Sequence, residues 1–115
     1  MTTTNSTLFD GRMSYLDSEK PCDGMLMREL RTEYSGAALT PFKAAEFSVA
    51  PGCRSLAEVH TVREVWFVSS GCGVLTRNNR DMRVGAGDVI YFDSRDSHQL
   101  HNDAGEPFRA LAIWW

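Results

Sequence analysis

The sequence predicts an all-β protein, a single sandwich or barrel of short strands. Three observations predict it. The 115 residues suffice for one domain and fall short of two. Apolar runs of four to eight residues alternate with clusters of Gly, Asn, Asp and Pro. No stretch after Pro41 carries helical periodicity, and no internal repeat is visible.

The elements follow in order. Residues 1–24 are polar, with Pro21 near their end, and form an N-terminal arm with one short strand at most. Residues 25–115 form the barrel domain. Within it, Met25 to Thr32 fits one helical turn and a strand equally well. Phe42 to Val49 is strand-like and stops at Pro51-Gly52. Leu56 to Val62 and Val65 to Ser69 come next, before Gly71-Cys72-Gly73. Gly73 to Thr76 enters a turn at Asn78-Asn79, and Met82 to Val84 another at Gly85-Ala86-Gly87. Val89 to Phe92, Gln99 to Asn102 and Phe108 to Trp115 complete the series. Trp114 and Trp115 point to opposite faces, one to the core and one to a surface or subunit contact.

Composition removes several classes of function. Net charge is −3 and the basic residues are scattered, which gives no footprint for nucleic acid. The apolar runs are far too short to span a membrane. Met1 to Ser6 lacks the basic start and apolar stretch of a signal peptide, so a cytoplasmic protein is expected. Cys22, Cys53 and Cys72 have no Cys-x-x-Cys spacing and are read as reduced thiols, although Cys53 and Cys72, at strand ends, could approach one another.

Chemistry concentrates in two places. Glu58, His60 and Glu64 lie ahead of Val65-Trp66-Phe67-Val68, and His98 follows the run Val89 to Phe92. Alternation places Glu58 and His60 on one strand face. Continued extended geometry would add Glu64, Trp66 and Val68 to that face. His98, Leu100 and Asn102 share a face on the later strand, with His101 opposite. A barrel can bring both segments to one interior. Imidazole and carboxylate together suit a divalent transition metal.

These segments resemble the two motifs of the cupin superfamily of small jelly-roll β-barrels. The first motif runs from Gly52 through His60 and Glu64 to Gly71, with Glu58 where the motif has its first His. The second matches at Gly87, His98 and Asn102, with Asp93 in place of Pro and Arg95 in place of Gly. The resemblance implies that Glu58, His60, Glu64 and His98 hold one divalent ion: zinc, iron, nickel or manganese. It also implies a homodimer whose N-terminal strands pair across subunits.

The substitution at Glu58 opens a fork. As a ligand it adds a second carboxylate to the ion; off the ion it leaves a set suited to Fe(II) and becomes a general base. Coordination is favoured. Trp66 and Arg95 are the pocket residues expected to meet a substrate, Arg95 because it lies in the turn before His98. The leading expectation is a metal-dependent isomerase or lyase for a small polar carbonyl or carboxylate metabolite, through a stabilised enolate or enediolate. An Fe(II) dioxygenase and a non-catalytic binding or accessory cupin are the alternatives.

Overall fold

A computed structural model describes residues 10–115, so the first nine residues of the expected arm lie outside the described part. Twelve strands are present among the described residues: β1 Glu19–Cys22, β2 Met25–Glu29, β3 Glu33–Tyr34, β4 Ala37–Ala38, β5 Lys43–Val49, β6 Glu58–Val59, β7 Glu64–Ser70, β8 Cys72–Arg77, β9 Arg80–Gly85, β10 Val89–Phe92, β11 Ser97–His101 and β12 Phe108–Trp114. A six-stranded sheet has the order β1-β2-β5-β12-β7-β10, and a four-stranded sheet the order β6-β11-β8-β9. β3 and β4 form a separate hairpin. The two large sheets make an all-β jelly-roll barrel, as the sequence predicts.

Alternation decides which faces meet. Along β7, Glu64, Trp66 and Val68 are buried, while Phe67 is exposed. Along β11, His98 and Leu100 are buried, and the next inward residue, Asn102, has no exposed surface at all. Phe47, Val49, Trp66, Phe92, Phe108 and Ala110 from the large sheet pack against Leu75, Val84 and Leu100 from the small one. Each large side chain so buried stabilises the fold by about 1.5–3 kcal/mol. Asn102 is structural. Its amide donates to the carbonyls of Val49 and Glu106 at 2.9 and 2.8 Å, and its oxygen accepts from the Ala104 N–H at 2.9 Å.

Turn chemistry explains the connections. Asn78 and Asn79 have φ of 49° and 65°, the left-handed pair that a two-residue hairpin between Arg77 and Arg80 requires. Gly71 has φ 81°, and a Cβ there would meet the Pro107 carbonyl oxygen at 2.5 Å. Any larger residue would collide with backbone.

Two readings are settled by the sheets. Met25–Glu29 is a strand, because pairing on both sides with β1 and β5 outweighs its weak helical pattern. The strand expected over Leu56 to Val62 shrinks to Glu58–Val59. After pairing with Ser97 and His98, the chain leaves the small sheet and crosses to the large one. There the Arg63 backbone exchanges hydrogen bonds with Trp115. The three thiols are free. Cys53 lies against Gly24 and Cys72 against Gly85, so the structure shows no Cys53–Cys72 pairing. No helix among the described residues is long and apolar enough to cross a membrane.

Candidate metal centre and cavity

The crossing after Val59 sets the geometry of the site. Glu58 sits on β6 of the small sheet beside its pairing partner His98 on β11. Glu64 begins β7 on the opposite wall, and His60 lies in the crossing between them. Ligand atoms of Glu58, His60 and His98 all lie within 4.8 Å of one another. His60 Nε2 is 3.3 Å from Glu58 Oε1, and His98 Nε2 is 3.3 Å from Glu64 Oε1. The four residues named from the sequence therefore meet, with Glu64 joining through His98.

The deeper pair is the more informative. Glu64 and His98 are buried, whereas the Glu58 and His60 side chains keep 40% and 38% of their exposure. His98 Nδ1 lies 3.2 Å from the Asp96 carbonyl, which can only accept, so Nδ1 carries the proton and Nε2 is left to face the site. Trp66 Nε1 donates to Glu64 Oε2 at 2.9 Å, leaving Oε1 to face the site. Among the described residues, Glu64 Oε1 and His98 Nε2 are the buried side-chain polar atoms without an aligned hydrogen bond. Buried polar atoms are normally satisfied, because leaving one bare costs about 1–3 kcal/mol. Two such atoms aimed at one point fit a cation between them. The chemistry of the set, two imidazoles and two carboxylates, fits a divalent transition ion.

Electrostatics act in the same direction. Burial pushes the His98 ring down, but neighbouring Glu64, the Asp96 carbonyl and Glu58 hold it above its ordinary value. Burial pushes the Glu64 carboxyl up, yet His98, the Trp66 N–H and His60 bring it below the usual range. Glu64 is thus held ionised beside His98.

A cavity of about 370 Å³ opens onto this centre. Glu58, His60 and Glu64 border it, with Trp66, Phe47, Met27 and Trp114 among its apolar walls. Trp66 is therefore both packing and wall: its ring meets Phe47, Phe92 and His98 edge-on at 4.9, 4.9 and 5.5 Å. Arg95 does not line this cavity. It is exposed, in a turn whose backbone N–H donates to the His60 carbonyl. The outward direction of that turn is the physical reason.

Sequence reasoning missed two contributors. Asp96 ties the His98 turn to the β8–β9 hairpin by accepting from Arg77 and Asn78 at 2.6 and 3.0 Å, and these partners hold its carboxyl down at about 2. Glu29 lines the cavity from β2. Its signal was the alternation Met25-x-Met27-x-Glu29, which points inward only once the segment is known to be a strand.

The fold and site define a small β-barrel protein with an imidazole–carboxylate cluster, a candidate metal site, at the end of a cavity. The family model described as "Cupin domain" matches residues 45–114, and the chain belongs to that family. An uncharacterised protein of Methanocaldococcus jannaschii is 30% identical over 92 residues, covering 77% of this chain and 71% of that protein. An oxalate-binding protein of Thermotoga maritima is 34% identical over 50 residues, 44% of this chain and 41% of its own length. Among solved structures, a protein of Photorhabdus luminescens superposes with a TM-score of 0.72 at 27% identity, covering 81% of this chain and 76% of that one.

Proposed function

We propose that this chain is a metal-dependent enzyme acting on a small oxygen-bearing molecule by isomerase or lyase chemistry. One observation carries the reading: buried Glu64 Oε1 and His98 Nε2 face each other 3.3 Å apart, without an aligned hydrogen bond, at the end of a cavity. Glu58, His60 and His98 would hold the ion, with Glu64 Oε1 as the fourth ligand. A divalent ion there supplies Lewis-acid polarisation of a carbonyl and stabilises an enolate-like charge. The residues divide the remaining work. Glu64 is locked by Trp66 and serves as a fixed ligand. Glu58 is half-exposed at the cavity edge, which makes it the exchangeable carboxylate and the group that moves a proton. Phe47, Trp66 and Trp114 exclude water from the reacting end. The protein would act as a homodimer. Val89 and Phe67 pair across β10 and β7 and are exposed on the outer face, offering apolar surface for a second copy to cover; sedimentation velocity reads the outcome.

A second reading, a non-catalytic binding cupin, is favoured by the direct Glu58–His60 contact at 3.3 Å, which sets two of the four groups against each other without an ion. The relation to an oxalate-binding protein makes oxalate one ligand to test. Elemental mass spectrometry on untagged, chelator-free protein separates the readings. Near-stoichiometric metal that disappears in His98→Ala supports the enzyme, and iron among the elements would turn the chemistry toward a dioxygenase. No metal after reconstitution leaves the binding cupin.

A further inference from the structure

The cavity has a charge character that the metal centre alone does not explain. Its floor is a single row across the large sheet, in which Glu29 pairs with Ala45, Ala45 with Ala112, and Ala112 with Trp66. Side chains in register on neighbouring strands share a face, so all four point inward. The two alanines leave the space, and Glu29 and Trp66 stand at its ends. Neither lysine nor arginine lines the cavity, while Glu29, Glu58 and Glu64 all do.

The three carboxylates are not equivalent. Glu58 faces His60 and Glu64 faces His98. Glu29 faces neither, and no ion pair or side-chain hydrogen bond involves it among the described residues. The two nearby arginines are engaged elsewhere, while Lys43 borders a second pocket together with Glu29 without pairing to it. Arg28 pairs with Glu46 and stacks on Tyr15, and Arg31 donates to the Glu33 carbonyl and lies over Tyr34. Lys43 begins the inward row on β5 but is exposed and makes no ion pair.

We infer that the ligand of this cavity has an apolar body and a neutral or cationic head, an amine or hydroxyl donor directed at Glu29, and that small dianions are rejected. The inference rests on the metal reading for the ligand's other end, where a carbonyl or hydroxyl oxygen would meet the ion. A divalent cation offsets two of the three lining carboxylates and leaves the charge of Glu29. An added carboxylate would face that charge inside apolar walls, where electrostatic repulsion is weakly screened. Oxalate also has no hydrocarbon to set against Met27, Phe47 and Trp114.

The test uses one carbon skeleton with three heads: isopentylamine, isopentanol and isovalerate, with oxalate alongside. Binding is followed by fluorescence of the cavity tryptophans at neutral pH, in metal-free and zinc-loaded protein. Isopentylamine is expected to bind metal-free protein about tenfold more tightly than isovalerate. Glu29→Gln should bring the two within about threefold while leaving zinc affinity unchanged. Ala112→Leu, which fills the floor, should remove binding of all three and spare zinc. Isovalerate or oxalate binding metal-free protein as tightly as the amine would overturn the inference, as would a preference that Glu29→Gln does not alter. If zinc fails to bind while the charge preference holds, the metal reading falls and this one stands. Zinc binding with a preferred carboxylate has the opposite consequence.

Discussion

Trp66 holds Glu64 by one oxygen only: its indole N–H donates to Oε2 at 2.9 Å, and Oε1 is left facing His98. The spacing of two residues on one strand makes this contact, since both side chains project from the same face of β7. Trp66→Phe keeps an aromatic ring against Phe47 and Phe92 but removes the donor. Zinc affinity, measured by competition with a chromophoric chelator, should fall by about 10–100-fold. Phe47→Leu is the control, expected to lower Tm without changing zinc affinity. Equal affinities for wild type and Trp66→Phe would show that Glu64 needs no such support.

Metal uptake should depend on pH through His98. Its ring is held above the ordinary value, and an imidazolium cannot ligate. Below that raised value the ion must displace a proton, so apparent zinc affinity should fall by about tenfold per pH unit. Above it the affinity should level. Titration by isothermal calorimetry checks the sign, and a plateau already reached well below pH 6.5 would contradict it.

Arg95 occupies a glycine's conformation. The turn Asp93 to Asp96 is closed by the Asp96 N–H donating to the Asp93 carbonyl at 3.0 Å, and Arg95 has φ 70° at its third position. That is the place in a type II turn where glycine is preferred. Arg95→Gly should stabilise the protein by about 1 kcal/mol, a Tm rise of a few degrees, with zinc and ligand binding unchanged. A loss of ligand binding in this variant would return Arg95 to the substrate site.

Asp96 gives the acid limb of the stability curve. Its folded value of about 2 lies below the ordinary carboxylate value, so its contribution is complete above about pH 4 and disappears as pH falls toward 2. The Tm difference between wild type and Asp96→Asn should be widest above that window and close within it. A difference that stays constant from pH 5 to pH 2 would remove Asp96 from the account.

The ends of the barrel were easier to read than its crossing. Turn residues and period-two alternation located β5 and β7 to β12 within a few residues, because these patterns are local. Alternation does not say which sheet a strand joins. The switch between β6 and β7 was therefore invisible, and with it the fact that Glu58 and Glu64 stand on opposite walls. Arg95 lies outside the cavity lining for a related reason: adjacency to His98 in sequence carries no direction, and the residue is exposed in its turn. Glu29 was hidden by the helix–strand ambiguity of its segment. The motif spacings singled out Glu58, His60, Glu64 and His98, whose side chains the fold brings near one another, because spacing survives such ambiguity.

The division of ligands between sheets has a mechanical consequence. Glu58 and His98 belong to the four-stranded sheet and Glu64 to the six-stranded one. An ion held by all three would act as a rivet through the sandwich, so the sheets could not part without breaking coordination bonds. Occupancy would then govern how long the barrel stays closed as well as what it binds. Amide exchange at Trp66 and Leu100, on facing walls, should slow together when zinc is added.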